Sequence, residues 1–440
     1  MSKISQKKIS NRPPKGTQDW WPDEYRVRKY IFDTWRKVNR QFNYEEYLTP
    51  LLESADVYRA KSGEDVGGKE LMVMVDRAGR ELAIRPEMTP SVTRMVTRFY
   101  KQATKPLRLF SIANYYRNER PQRGRNREFW QLNSDIFGAD SLTADLEILQ
   151  LALELMLAFK PPAGSFVLHL NHRQLIDAIL SEAAQIPDEL RMATVRLLDK
   201  FGKLGEAKFR DAAAKAGLGG ASITALIQFM GCSTGKQLLD YFPSLVDNEG
   251  YQEVIGLFHS LIALGYDDWV AFDPSVIRGF DYYDGMVFEI FDTHPDNNRS
   301  LFGGGRYNGL ANIFGNDEVP GVGFAPGDET MKLFLQSWDA IPEMSGQEGV
   351  IYFPLLGSEL AEPVGKLTRQ LRNAGLLVEQ GLARQSIGSA MKYAGRKGVA
   401  KVLLLGSNEM EQGVITVKDL ASSEQVQVAQ SELSSFLRSA

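Results

Sequence analysis

Apolar residues recur at three- and four-residue steps early in the chain: Tyr25, Val27, Tyr30, Ile31, Trp35 and Val38. That spacing predicts an amphipathic helix over residues 23–42. Strand-like patterns follow at 47–53, 70–76 and 80–84, the last two joined by the turn Asp76-Arg-Ala-Gly79. A helix is expected over 89–100, and strands at 107–113 and 129–137 flank a long polar loop. A helix over 141–159 has Ser141 or Thr143 as its N-cap. Pro161-Pro-Ala-Gly164 then breaks the chain before a strand at 165–170.

From about residue 174 to 262, Leu, Ala, Lys and Glu dominate and helix follows helix. Strand patterning resumes near 268, is clear at 286–291, and returns briefly at 321–324 before another helix. Met344-Ser-Gly-Gln-Glu-Gly349 reads as a polar linker. Beyond it, strands at 350–355, 376–379, 401–405 and 414–420 alternate with helices at 360–374 and 387–397. That alternation predicts a small α/β domain. The expected division is 1–173 and 263–343 as two parts of one core, 174–262 as a helical insertion, and 349–440 as a separate domain.

Bulk properties narrow the class. A chain of 440 residues is long enough for several domains. No apolar run approaches the roughly 20 residues needed to cross a bilayer. The segment Met-Ser-Lys-Ile-Ser-Gln-Lys-Lys has no apolar stretch behind its charges, so a secretory signal is not expected. A single cysteine, Cys232, excludes an internal disulfide framework and a cysteine zinc cluster. These features predict a soluble, cytoplasmic protein. The net charge of −4 argues against indiscriminate nucleic-acid binding but leaves room for local basic grooves. Of the four histidines, only His169 and His172 are close, across an expected strand-to-helix junction, and no metal site is assigned.

The loop between the strands at 107–113 and 129–137 carries the most chemistry. Arg117-Asn-Glu-Arg-Pro-Gln-Arg-Gly-Arg-Asn-Arg-Glu-Phe-Trp-Gln131 holds five arginines, and Asp135 follows four residues later. Arginine presents a planar fork of donors to phosphate, so a cationic loop of this kind suits a polyanion. Glu119 and Gln131 can read neutral donors and acceptors beside that charge.

This stretch resembles the second signature motif of class II aminoacyl-tRNA synthetases, and its Arg-Pro-Gln-Arg-Gly-Arg core is similar to the histidyl-tRNA synthetase family. Four further segments resemble that family, in the family's order. They are Lys15-Gly-Thr-Gln-Asp19, Ile84-Arg-Pro-Glu-Met-Thr89, Ile277-Arg-Gly-Phe-Asp-Tyr-Tyr283 and Gly303-Gly-Gly-Arg-Tyr-Asn-Gly309. Tyr47-Leu-Thr-Pro-Leu-Leu-Glu53 resembles class II motif 1, whose proline lies at a dimer interface. The resemblance implies an α+β fold: an antiparallel sheet core with a helical insertion, plus a C-terminal α/β anticodon-binding domain. Segments 390–394, 403–406 and 414–419 are similar to that domain.

The implied reaction joins histidine to tRNA(His) through histidyl-adenylate. ATP is a substrate, Mg2+ arrives with the nucleotide, and the enzyme is a homodimer. By the resemblance, Arg278 and Arg117 act on charge at the α-phosphate. Glu119 accepts from the adenine amino group, Arg125 meets the triphosphate tail and Phe129 stacks on adenine. Glu87, Thr89, Gln131 and Asp135 hold the histidine ammonium, while Tyr283 and Tyr307 wall its imidazole. Gln122 and Arg123 are candidates for the tRNA acceptor end. Tyr282 fits either the site or the core. Gly303, Gly304 and Gly305 are expected to let backbone approach the ligand. Arg384, Gln385 and Lys392 lie near the family's anticodon-binding face.

The resemblance departs at motif 3, Gly321-Val-Gly-Phe-Ala-Pro-Gly-Asp-Glu-Thr330. Asp328 and Thr330 stand where the family usually has leucine and arginine. Asp328 is expected to point away from the triphosphate. Met88 stands where many relatives have glycine. A second class of function is a noncatalytic paralogue that binds histidine, such as the regulatory subunit of ATP phosphoribosyltransferase. It would show eroded phosphate arginines and no C-terminal domain; Arg117, Arg278 and that domain are all present. A synthetase for another amino acid fits the two tyrosine signatures less well.

Overall fold

A computed structural model of the chain describes residues 9–60, 62, 65–277, 282–297, 299–315, 319–344 and 346–439. It divides into two compact units, Met1–Ile341 and Pro342–Ala440.

In the first unit the strands are β1 (Glu45–Glu46), β2 (Leu52–Ser54), β3 (Met72–Val75), β4 (Glu81–Ile84), β5 (Leu107–Tyr116) and β6 (Glu128–Phe137). They continue with β7 (Phe166–His172), β8 (Val270–Phe272), β9 (Met286–Asp292), β10 (Arg299–Arg306) and β11 (Gly321–Phe324). Among the described residues, eight of them form one sheet in the order β1-β5-β6-β11-β10-β9-β7-β8, and β2-β4-β3 form a small second sheet. The large sheet is antiparallel except at its edges, where β1 joins β5 and β8 joins β7 in parallel. The expected α+β core is therefore present.

Both faces of the large sheet are covered, and for different reasons. On one face Phe110, Ile112, Leu132, Ile136, Phe288 and Ile290 join Ile31 and Trp35 of the helix Pro22–Gln41 and Ile148 and Leu149 of the helix Leu142–Leu157. The helices between residues 173 and 263 continue this same cluster through Phe209, Leu226 and Leu257. On the other face Ala113, Tyr115, Phe137 and Val287 pack with Met88, Val92 and Val96 around the helix Thr89–Phe99. Side chains alternate along a strand. Leu132 and Ile136 therefore enter the first core, while Phe129, Gln131, Asn133, Asp135 and Phe137 share the second face.

Several expectations need correction. The segment 47–53 is not one strand: β1 ends at Glu46 and β2 begins at Leu52. Tyr47 N–H still donates to the Phe110 carbonyl (2.9 Å). Pro50 then has no N–H to extend the ladder, and the Thr49 carbonyl instead accepts from Arg85 Nη1 (2.9 Å). The run of glycines at 303–305, for which the pattern predicted no strand, lies within a full strand, β10. Ser141, rather than Thr143, caps its helix by accepting from Ala144 N–H (3.3 Å).

In the second unit β12 (Val350–Leu355), β13 (Leu377–Arg384), β14 (Lys401–Leu404), β15 (Val414–Asp419) and β16 (Gln425–Ala429) form a sheet ordered β13-β12-β14-β15-β16. The first three are parallel and the last two antiparallel. β16 and the helices Ser407–Gln412 and Leu433–Ser439 were not legible in the apolar pattern.

One buried ion pair ties the large sheet to its covering helix. Arg306, at the end of β10, donates through Nε to Asp145 Oδ1 (2.9 Å) and through Nη1 to the Ala139 carbonyl (3.1 Å). Nη2 stands 2.7 Å from Asp145 Oδ1. Burial pushes the Asp145 carboxyl up to about 6, with Arg306 pulling it back. Breaking such a pair strands a buried charge and typically costs about 3–5 kcal/mol. Arg306→Met is expected to lose stability in this range by urea denaturation. The loss should be larger at pH 8 than at pH 5, because the unfolded carboxyl is ionised at both but the orphaned folded one resists ionisation. Wild-type stability in Arg306→Met would remove this pair from the framework.

Candidate active site

β5 and β6 pair without interruption from Leu107↔Phe137 to Tyr116↔Glu128. That register sets Ala113 opposite Gln131 and Tyr115 opposite Phe129. The ladder continues into the arginine loop, where Arg117 N–H donates to the Arg127 carbonyl (2.8 Å). At the tip Gln122 and Arg125 exchange both backbone bonds (3.0 and 2.9 Å), so Arg123 and Gly124 make a two-residue turn. Gly124 has φ +72, in the left-handed region that glycine tolerates. The root of the loop is pinned by the segment resembling the family's N-terminus: the Gly16 carbonyl accepts from Arg127 N–H (2.8 Å) and Glu128 N–H (3.1 Å).

The expected phosphate and adenine residues cluster on this hairpin. Arg117 Nε donates to the Pro86 carbonyl (3.0 Å), and its guanidinium lies 5.2 Å from the Phe129 ring. Phe129 is stacked on Tyr115 with centroids 5.7 Å apart. The Glu119 carboxylate stands 3.8 Å from Arg125 Nη1, and the Glu119 carbonyl accepts from Arg127 Nε (3.0 Å). Arg125 is 62% exposed, the reach a mobile anionic tail requires. Arg278 lies outside the described residues.

The expected ammonium and imidazole residues sit on the sheet face below. Asp135 is buried, and its Oδ1 accepts from Tyr307 O–H (2.6 Å). Its Oδ2 meets no hydrogen-bond partner among the described residues. Burial pushes this carboxyl up to about 7, against the Tyr307 hydrogen bond, which lowers it. A buried carboxylate oxygen without a donor is a strong demand for a cation or a donor from a ligand. Glu87 Oε2 accepts from Tyr282 O–H (3.0 Å), so Tyr282 touches a candidate site residue while packing in the core. Tyr283 packs on Tyr282 and Tyr307, with centroids 4.8 and 6.4 Å away. Gln131 Nε2 lies 3.4 Å from Asn133 Oδ1, and Thr89 is buried at the start of its helix.

The glycines of β10 and β11 stand where a side chain would meet neighbouring groups. A Cβ on Gly305 would stand 2.8 Å from the Tyr283 ring, and one on Gly321 would stand 2.5 Å from the Tyr307 ring. A Cβ on Gly323 would meet Asp135 Oδ1 at 2.1 Å, and one on Gly304 would meet the Gly323 carbonyl at 2.2 Å. Gly304 and Gly305 thus make room for the neighbouring strands and for Tyr283.

The unusual residues of the segment resembling motif 3 are held by their neighbours. Asp328 is buried and ion-paired with Arg28, and its Oδ1 accepts from Trp130 N–H (2.9 Å). Burial pushes Asp328 up to about 7, with Arg28 opposing. Arg28 also lies 3.4 Å over the Trp20 ring and 3.4 Å from Glu329. Thr330 Oγ1 donates within reach of the Leu301 and Gly327 carbonyls (3.1 and 3.0 Å). Met88, in place of glycine, is fully buried and its sulfur accepts from Thr49 O–H (3.2 Å).

Three site residues escaped the sequence reading. Asn133 accepts from Tyr115 O–H (3.3 Å) and lies between Gln131 and Asp135 on their face, a position that strand alternation alone could have flagged. Arg85 is buried and grips the Asn114 carbonyl (2.9 Å), holding the Arg-Pro-Glu turn against β5. Tyr47 presents a buried hydroxyl with no partner among the described residues; burial raises its titration, and the charge of Asp135 raises it further. Nothing in the pattern around Tyr47 separated it from an ordinary strand residue. Among the described residues, no group of three or more His, Cys, Asp or Glu side chains could hold a metal ion.

Comparison with known proteins gives the same picture over the whole chain. A family model described as Histidyl-tRNA synthetase matches residues 16–329, and one described as Anticodon binding domain matches 351–440. A protein named "Histidine--tRNA ligase" from Leptospira biflexa is 38% identical over 98% of this chain and 98% of its own. One of the same name from Pyrococcus furiosus is 32% identical over 97% of this chain and 98% of its own. The crystal structure of histidyl-tRNA synthetase from Nostoc sp. PCC 7120 has the same fold, with a TM-score of 0.81 and 23% identity over 98% of this chain and all of that one.

Proposed function

The chain belongs to the histidyl-tRNA synthetase family, and from that premise we propose how its site works. The activity is that of a histidine–tRNA ligase with ATP, L-histidine and tRNA(His) as substrates. A histidine carboxylate oxygen attacks the α-phosphorus of ATP and pyrophosphate leaves. The 3′-hydroxyl of the terminal tRNA ribose then attacks the acyl carbon and AMP leaves. Chemistry of this kind depends on positioning and charge neutralisation more than on a protein nucleophile.

The observation that carries the reading is the β5–β6 ladder, which bears arginines at its tip and Gln131 and Asp135 in its body. In our assignment the bare Asp135 oxygen and Glu87 take the histidine ammonium with Thr89 and Gln131, while Tyr283 and Tyr307 wall the imidazole. Arg117 and Arg278 neutralise the α-phosphate, Phe129 and Glu119 hold adenine, and Arg125 meets the triphosphate tail. The loop 117–127 offers arginines and the single carboxylate Glu119, so magnesium enters as part of the nucleotide substrate, held by its phosphates. Gln122 and Arg123 at the exposed turn are assigned to the acceptor end of tRNA.

In the proposed division, residues 1–173 and 263–343 carry the chemistry, 174–262 form the helical insertion and 349–440 read the anticodon. Arg384 and Lys392 are exposed there, whereas Gln385 is engaged by Tyr352 O–H (2.8 Å). None of the described helices is long and apolar enough to cross a membrane; the location proposed is cytoplasmic.

Three outcomes test this. With magnesium, ATP and histidine, the protein is expected to exchange labelled pyrophosphate into ATP, and Arg278→Ala to slow exchange about 10²–10³-fold. Histidine binding without exchange in the wild type would turn the reading toward a noncatalytic histidine sensor.

The second outcome concerns pH. Ammonium binding needs ionised Asp135, and that carboxyl is pushed up to about 7 in the ligand-free site. Histidine affinity should therefore rise between pH 6 and 8, by up to about tenfold if this one group controls it. Asp135→Asn should bind more weakly and keep only the pH dependence of the ligand's own imidazole. Titration calorimetry giving the same slope for both proteins would remove Asp135 from the role.

The third concerns assembly. Leu48 (68% exposed), Val75 (66%) and Leu51 (43%) leave apolar surface uncovered on and beside the segment resembling motif 1. A homodimer through this surface is expected in sedimentation at micromolar concentration. A monomer alone would contradict it.

A further inference from the structure

Beneath the turn of the arginine hairpin lies a cation that the assignments above do not use. Arg299 opens β10, and its Nη1 donates to the Arg123 carbonyl (2.9 Å). Its Nε and Nη2 are buried and meet no acceptor among the described residues. Asp292, its partner across the β9–β10 ladder, is occupied elsewhere. Asp292 Oδ1 accepts from Trp338 Nε1 (2.9 Å) and His294 N–H (2.9 Å), and Oδ2 from Asn297 Nδ2 (2.5 Å).

The other charges around Arg299 have its own sign. Burial lowers the guanidinium's pKa, Arg123 and Arg125 lower it further, and the charge of Asp292 opposes them. A buried guanidinium with two idle donors and two cationic neighbours is poorly satisfied by the protein alone. An anion with several oxygens satisfies Arg299 and Arg125 together.

The surroundings favour a polyphosphate. The point where a Gly124 Cβ would stand is 2.3 Å from Arg299 Nη2 and 2.8 Å from Leu333 Cδ1. Leu333 is three residues beyond Thr330, so the two share a face of the helix Asp328–Ser337. Thr330 in turn bonds the Leu301 carbonyl, two residues along β10 from Arg299. The adjoining strand thus brings a cation to a helix face that carries a neutral threonine at its first turn. The charges of Arg299 and Arg125, which act on each other, match the charge density of a nucleotide's terminal phosphates better than that of a single RNA phosphodiester.

We propose that Arg299 is a further phosphate-binding residue, holding the terminal phosphates of ATP and the departing pyrophosphate together with Arg125. This rests on the synthetase reading, for which wild-type exchange is the separate control.

The test compares Arg299→Ala, Arg299→Gln and Arg299→Lys in histidine-dependent pyrophosphate exchange and in tRNA charging, with calorimetric histidine binding and thermal melting on each variant. Glutamine keeps a donor for the Arg123 carbonyl but no charge; lysine keeps the charge. The expected result is an ATP KM raised tenfold or more in the alanine and glutamine variants and partly restored by lysine, with histidine affinity and melting unchanged. A glutamine variant with wild-type ATP KM would overturn the proposal, because Arg299 would then only prop the hairpin. An unchanged ATP KM with a raised tRNA KM would also overturn it, assigning the site to an RNA phosphate. Melting and every kinetic constant failing together in all three variants would overturn it as a purely structural role. Wild-type protein without exchange would strike at the synthetase reading itself.

Discussion

The register of the β5–β6 ladder is the constraint on which the rest of the site depends. Its uninterrupted pairing, from Leu107↔Phe137 to Tyr116↔Glu128, decides which side chains of β6 face the helical core and which face the site. A slip of one residue would exchange the two sets. Leu132 and Ile136 would leave the core, and Gln131 and Asp135 would enter it without partners. Because both faces are buried, the register is held by apolar packing on one side and by the polar group Tyr115, Asn133, Asp135 and Tyr307 on the other.

That ladder also separates two kinds of charge. Carboxylates lie in the body of the sheet, where burial makes them eager for a cation, as the raised Asp135 carboxyl illustrates. Arginines lie at the exposed end, where only Glu119 offers opposite charge within the loop 117–127. A ligand with a cationic amine, a reacting carboxylate and a polyphosphate partner is dipolar in the same sense. In the proposed reaction the complementarity orients histidine before any chemistry occurs, and the sheet, being packed on both faces, does not reorganise to provide it.

The segment Gly321–Thr330 illustrates how a buried charge is compensated by the neighbours it meets. Asp328 would be an isolated buried acid if Arg28 did not reach it from the first helix and Trp130 N–H from β6. The same contacts tie the helix Asp328–Ser337 to the N-terminal helix and to the hairpin strand. Thr330 turns its hydroxyl onto the Leu301 and Gly327 carbonyls, which ties the helix to β10.

The sequence by itself determined the elements and the kind of chemistry. Helical spacing around Trp35, the alternation through 129–137 and the arginine-rich loop were each local patterns, and local patterns survive without knowledge of the fold. They located Arg117, Phe129, Gln131 and Asp135 on one hairpin and separated the C-terminal α/β domain. The tertiary structure decided what depends on distant pairings. It brought Tyr307 onto Asp135 across 172 residues, Tyr282 onto Glu87 across 195 and Arg28 onto Asp328 across 300 positions of chain. It gave the glycines of β10 and β11 their meaning, since a missing Cβ matters only for what stands opposite it. It also decided the solvation of Asp135, Asp328 and Arg299. A side chain's charge is written in the sequence, but the energy of that charge depends on which other atoms exclude water from it, and those atoms come from every part of the chain.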